Sequence, residues 1–172
     1  MIKLYNLLFE EHRHGNVYGD FLGENPNKKE EILLKLGVPQ NKLQRYLDKI
    51  DYLIGNDRTI GGKANKQSIN QIFAVIDGQK PMWFGAPENI SKLGIIKTVL
   101  MKSLSNLGLV YFRKDNQAVL GKPENVEKAA AELERVMSSG KYLPDKEFHR
   151  NMGIALGYPA EDVETFVRTF KF

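Results

Sequence analysis

Lys63, Lys66 and Arg58 flank a glycine pair, Gly61 and Gly62, in the stretch GNDRTIGGKANKQS. Lysine and arginine neutralise phosphate, and glycines let backbone N–H groups approach an anion closely. The P-loop spacing is not met. Asp57 stands where the first glycine is needed, and Ala64 stands where a Ser or Thr should follow Lys63. The stretch therefore reads in two ways. It is an anion cradle before a helix, or a solvated loop whose helix starts at an N-cap on Ser68, with Gln71 completing a capping box.

A second group of cations is denser. Between Asn89 and Pro123 lie Lys92, Lys97, Lys102, Arg113, Lys114 and Lys122, against the single acid Asp115. Six basic residues and one acid give +5 there, whereas the whole chain carries +4. The positive field is thus local, and a local field suits an anionic partner. Two functional readings compete with a plain solvated lysine face. In one, the residues line a basic cleft for a nucleotide-sized ligand. In the other, ISKLGIIKTVLMKSLSNLGLVYFRKDNQAVLG resembles winged-helix proteins, in which a helix pair leads into a basic hairpin wing. The second helix would then enter the major groove, with Arg113 and Lys114 on phosphates. Ile95 and Ile96 stand against this, because they occupy the start of the face that should be exposed.

Trp83, in PMWFGAP before a helix start, could stack on a base or pack in the core or its rim. His12 and His14 lack a third ligand nearby in sequence, and His149 is distant, so no metal site is called for. Glu10-Glu11, Glu30-Glu31 and Glu161-Asp162 lie on helical faces or caps rather than as a converging pair. No G-x-S-x-G elbow is present. Nothing supports an enzyme, and no cofactor is implied.

These residues are positioned by a mostly helical chain. Helices are predicted over residues 2–11, 26–36 and 39–54, and from Ser68 to Ile76. Each is marked by apolar residues at three- and four-residue spacing and by Gly or Pro at its ends. Lys80 to Gly85 reads as a short strand, with Pro81 near its start suggesting an edge or entry position. A helix from Pro87 to Leu107 follows, with Gly94 able to divide it. LVYF and QAVLG then flank a hairpin tip at Asp115-Asn116. Pro123 opens a helix to Met137. SSGKYLP links it to a terminal helix pair, 145–156 and 160–170, joined at Gly157-Tyr158-Pro159. The first strand could join the hairpin through a right-handed parallel crossover, or as a winged helix.

The expected class is α+β, mostly helical: N-terminal helices, a small three-stranded sheet with a hairpin, and a C-terminal helix pair. One domain spans residues 1–172, with a helical part over 1–77, a strand–helix–hairpin–helix part over 78–140 and the helix pair over 141–172. At 42% hydrophobic residues the chain can build such a core. With no cysteine, disulfides and Cys-based zinc or thiolate chemistry are excluded. No apolar run approaches the ~20 residues of a membrane span, and the opening segment lacks a cleavage site, so a cytoplasmic protein is expected.

HRNMGIALGYPAEDVETF resembles the closing motif of an uncharacterised archaeal and phage protein family. The matching positions are His149, Gly153, Leu156, Gly157, Tyr158, Pro159, Val163 and Phe166. The KPMWFG strand, the GLVYF hairpin and the next helix follow the same order, so the resemblance covers about Gly78 to Phe166. The family's cysteine pair is replaced near Glu161 and Asp162, and no metal or redox role carries over. MIKLYNLLFEE is also similar to openings of small tailed-phage proteins, which implies a viral accessory protein acting in the host cytoplasm.

The leading expectation is non-catalytic binding of a phosphate-bearing ligand, such as a nucleotide or nucleotide-derived signal, by Arg58, Lys63, Lys66, Trp83, Lys92, Lys97, Arg113 and Lys114. The alternatives are a winged-helix nucleic-acid binder using the same basic stretch, and a protein–protein adaptor presenting Phe170 and Phe172. The partner is an anionic small molecule or nucleic acid, not a membrane, and homo-oligomerisation stays open.

Overall fold

β3 (Gln117–Gly121) is the middle strand of a three-stranded sheet of order β1-β3-β2, in a computed structural model that describes residues 18–55, 62–138 and 144–169. β1 (Met82–Gly85) and β2 (Val110–Lys114) both pair with it antiparallel. Trp83 and Tyr111 flank Leu120, and Phe84 and Phe112 flank Val119. The antiparallel pairing of β1 removes the parallel crossover. β1 is an edge strand, as Pro81 predicts.

Period-two alternation sends the strand side chains to two cores. Trp83, Ala118 and Leu120 face one, and Met82, Phe84 and Val119 face the other. Because both faces are covered, all residues of β1 and β3 are buried, and each strand reads as a continuous apolar run. β2 is the outer strand and is only partly covered.

The first core is built by helices α1 (Phe21–Glu24), α2 (Lys28–Lys35), α3 (Leu43–Gly55, after a 3-10 turn Gln40–Lys42), α4 (Gly62–Asp77), α5 (Pro87–Lys92) and α6 (Ile95–Ser103). Polar locks fix their order. Asn70 on α4 is fully buried and its Oδ1 accepts the Leu22 N–H at 2.8 Å. The Asp77 carboxylate, almost wholly buried, holds Lys28 at 3.4 Å and Lys35 at 3.0 Å. The Ser103 hydroxyl donates to the Leu36 carbonyl at 2.9 Å.

α7 (Pro123–Met137) and α8 (Lys146–Ala155) build the second core, and α9 (Ala160–Thr169) packs on α8. Asp145 caps α8 by accepting the Phe148 N–H at 2.7 Å, and it also receives Arg135 from α7. Arg135 draws its carboxyl well below the usual range. Gly157 ends α8 at φ 86°, and a methyl group there would come within 2.7 Å of Pro81 Cγ.

Most expected elements are present, with two changes. The helix expected over 26–36 is joined by the short α1. α4 begins at Gly62 instead of Ser68. After Gly62 the sequence KANKQ contains good helix formers and no breaker, so the helix extends back through it. Ser68 is therefore not an N-cap; its Oγ accepts Asn89 Nδ2 at 3.3 Å. The helix expected over 2–11 lies outside the described residues.

Gly94 divides the long predicted helix into α5 and α6. Its φ of 59° and ψ of −121° lie in a region that residues with a Cβ rarely occupy. Gly94→Ala is expected to destabilise the protein by about 1–3 kcal/mol, read as a lowered urea midpoint.

Candidate nucleic-acid interface

α5 and α6 form a helix pair joined by the two-residue turn Leu93-Gly94. Ile96 and Leu100 on α6 are fully buried, and Ile95 and Val99 pack partly against the same core. This settles the objection raised by Ile95 and Ile96. Both point towards the core, and the outer face begins one residue later. It carries Lys97, Thr98 and Lys102, all exposed, with Met101 half-buried between them. At 100° per residue these four share one side of the helix.

The hairpin follows directly. Arg113 is exposed on β2 and its Nε donates to the Asp115 carbonyl at 3.0 Å, which holds the side chain along the turn. Asp115 takes φ 49°, a conformation an aspartate tolerates at a tight turn. Lys114 sits beside the tip, opposite Gln117. Among the described residues, no carboxylate forms an ion pair with Lys97, Lys102, Arg113 or Lys114. Lys122 lies past Gly121, at the sheet end away from this tip, so it does not join them.

Sequence reasoning missed one contributor. Lys49 comes from α3, about 45 residues upstream, yet a methyl group at Gly94 would meet its Cε at 3.3 Å and its Nζ at 3.7 Å. Its ammonium also lies 5.1 Å from the ring centroid of Tyr52. No sequence signal links α3 to this turn; α3 packs against α4 and α2, and only that tertiary packing brings Lys49 there.

Other expected site residues fall elsewhere. Trp83 is fully buried in the first core, with its ring over Gly85, so it cannot stack a ligand at the surface. The strand alternation that sends Met82 and Phe84 to one core sends Trp83 to the other. The cradle expected at Gly61–Ser68 is not a loop, because α4 runs through most of it. Lys66 lies on α4 and pairs with Asp20 at 3.4 Å. Lys92 ends α5 on the exposed surface. Arg58, the Lys63 side chain, His12, His14, Phe170 and Phe172 lie outside the described residues. The eight expected residues therefore do not form one site; Lys97, Arg113 and Lys114 stay with the helix pair and its hairpin.

Two buried titratable groups lie away from this face. His149 is 1% exposed and packs edge-on against Phe148 and Phe166 at 5.4 and 5.8 Å. Burial lowers its pKa to about 4, against a smaller opposing effect of Asp145. Lys80 is 3% exposed. Its ammonium donates to the Leu156 carbonyl at 3.2 Å and lies 5.5 and 5.1 Å from the Tyr18 and Tyr158 ring centroids. Burial lowers its pKa to about 8. No candidate metal cluster occurs among the described residues. No helix among them is long and apolar enough to cross a membrane.

No protein-family model, curated protein or solved structure matches this chain.

The buried His149 and Lys80 make stability depend on pH. Both titrate below their unfolded values of 6.5 and 10.5, so the unfolded chain binds more protons in each window. Stability should therefore fall as pH drops from 6.5 towards 4, and rise as pH climbs from 8 to 10.5. Each slope is limited to about 1.4 kcal/mol per pH unit. Lys80→Met should flatten the alkaline rise in urea unfolding; an unchanged rise would mean that another group causes it. Fluorescence of Trp83, the only tryptophan, should resist iodide quenching in the folded protein and become quenchable on unfolding.

Proposed function

We propose that the chain binds duplex nucleic acid, with α6 lying in the major groove and the β2–β3 turn resting on the phosphate backbone. The observation that carries this reading is the connectivity α4–β1–α5–α6–β2–β3 with sheet order β1-β3-β2. It is the order of a winged helix, whose second helix of the pair reads the groove and whose hairpin is the wing.

The chemistry supports the same assignment. A helix about 10–12 Å across fits the B-form major groove. The outer face of α6 offers ammonium groups at Lys97 and Lys102. These can meet phosphates or the O6 and N7 acceptors of guanine. Thr98 and Met101 between them present methyl groups suited to the thymine C5-methyl. Arg113 and Lys114 on the wing add phosphate contacts. Capture of a free nucleotide fits less well, because the stacking ring expected at Trp83 is buried and Lys66 is held by Asp20.

A gel-shift or anisotropy series with duplex DNA at rising salt tests this reading. Binding should weaken linearly in log–log form, with a slope near −0.9 per neutralised phosphate. Arg113→Ala should make the slope shallower by about 1 and weaken all sequences alike. Lys97→Ala should cost about 1–3 kcal/mol on preferred sequences and less on others. Absence of any complex at low salt would remove the proposal.

A further inference from the structure

We infer that α3 is a second contact element for the same duplex, carrying the phosphate backbone beyond the reach of α6 and the wing. Lys42, Arg45, Lys49 and Tyr52 recur at three-, four- and three-residue steps, so they form one stripe along the 3-10 turn and α3. Lys42, Arg45 and Tyr52 are exposed and Lys49 is half-buried. Tyr52 is 62% exposed.

The three cations of the stripe form no ion pair among the described residues. Of the carboxylates of α3, Asp48 accepts Gln44 Nε2 at 2.8 Å and Asp51 holds Lys29 at 2.7 Å, so neither is paired with a cation of the stripe. This stripe differs from most cationic side chains of the neighbouring helices. Lys28 and Lys35 are tied to Asp77, and Lys66 is tied to Asp20. A row of cations without ion-pair partners along a helix fits a row of phosphates.

Continuity with the α5–α6 turn fixes the place of the stripe. The Lys49 side chain lies over Gly94, where a methyl group would meet its Cε at 3.3 Å, and the outer face of α6 begins there. From there Arg45 and Lys42 extend the cationic track by about 10 Å along the helix axis, at 1.5 Å per residue. That length spans two to three phosphates of one strand at roughly 3.4 Å rise per nucleotide. Tyr52 lies beside the Lys49 ammonium, with its hydroxyl able to donate to a phosphate oxygen.

This inference rests on the duplex-binding reading, and its test separates the two. A triple variant, Lys42→Ala, Arg45→Ala and Lys49→Ala, changes two exposed positions and one half-buried one to a strong helix former, so it should fold; its circular dichroism and urea midpoint check this. Its binding to duplex DNA should keep sequence preference while the salt slope becomes shallower by about 2–3. A control with Lys128→Ala and Lys146→Ala, on α7 and α8, should keep the wild-type slope. Independently, a photo-crosslinking benzoylphenylalanine at position 52 should crosslink to DNA flanking the preferred site. If the wild-type protein binds no duplex, the reading of α6 and the wing fails. If wild type binds while the triple variant keeps the full slope and position 52 gives no crosslink, only the role of α3 is overturned.

Discussion

β3 is buried on both faces, and covering it decides where nearly everything else goes. A strand with Ala118 and Leu120 on one side and Val119 on the other needs two apolar layers. The helices before β3 supply one layer and α7 and α8 supply the other. Burial of this kind removes on the order of 1.5–3 kcal/mol of exposed apolar surface per large side chain. It also leaves β2 as the strand that reaches solvent, and Arg113 and Lys114 sit there. Charged residues on an outer strand discourage unwanted strand pairing.

Charge is distributed by the same packing. Cations that support the fold are tied to carboxylates: Lys28 and Lys35 at Asp77, Lys66 at Asp20, Arg135 at Glu132 and Asp145, and Arg150 at Glu164. Exposed pairs of this type add little stability, often below about 1 kcal/mol. Their larger effect is to cancel local charge, so that the positive field survives where carboxylates are lacking. Among the described residues, Lys97 and Lys102 on α6, Arg113 and Lys114 on the hairpin, and Lys42, Arg45 and Lys49 by α3 are left without such a carboxylate partner.

The buried polar groups lie on the opposite logic. Lys80 has a carbonyl and two tyrosine rings around its ammonium instead of a carboxylate, and cation–π attraction offsets only part of the lost hydration. By touching Tyr18 and Tyr158 it ties the described start of the chain to the loop between α8 and α9. His149, between Phe148 and Phe166, serves as a mostly apolar plate within the terminal helix pair. Both groups are buried, so their titration bears on stability.

Much of the local architecture was legible in the residues. Pro87 and Pro123 open helices, Gly94 and Gly157 end or divide them, Asp115-Asn116 turns the hairpin, and helical spacing marks the apolar faces. These signals act between residues a few positions apart, so sequence states them directly. The start of α4 was misread because a serine inside a helix and a serine capping one differ only in their backbone. The fates of Trp83 and Lys49 were not legible at all. Whether Trp83 meets solvent depends on α4 and α6 covering one side of the sheet, and whether Lys49 approaches Gly94 depends on α3 docking against α4 and α2. Sequence alone determined the elements, their order and the excess of positive charge; tertiary packing decided which cations share a surface, because burial and charge proximity between distant segments exist only once the layers close.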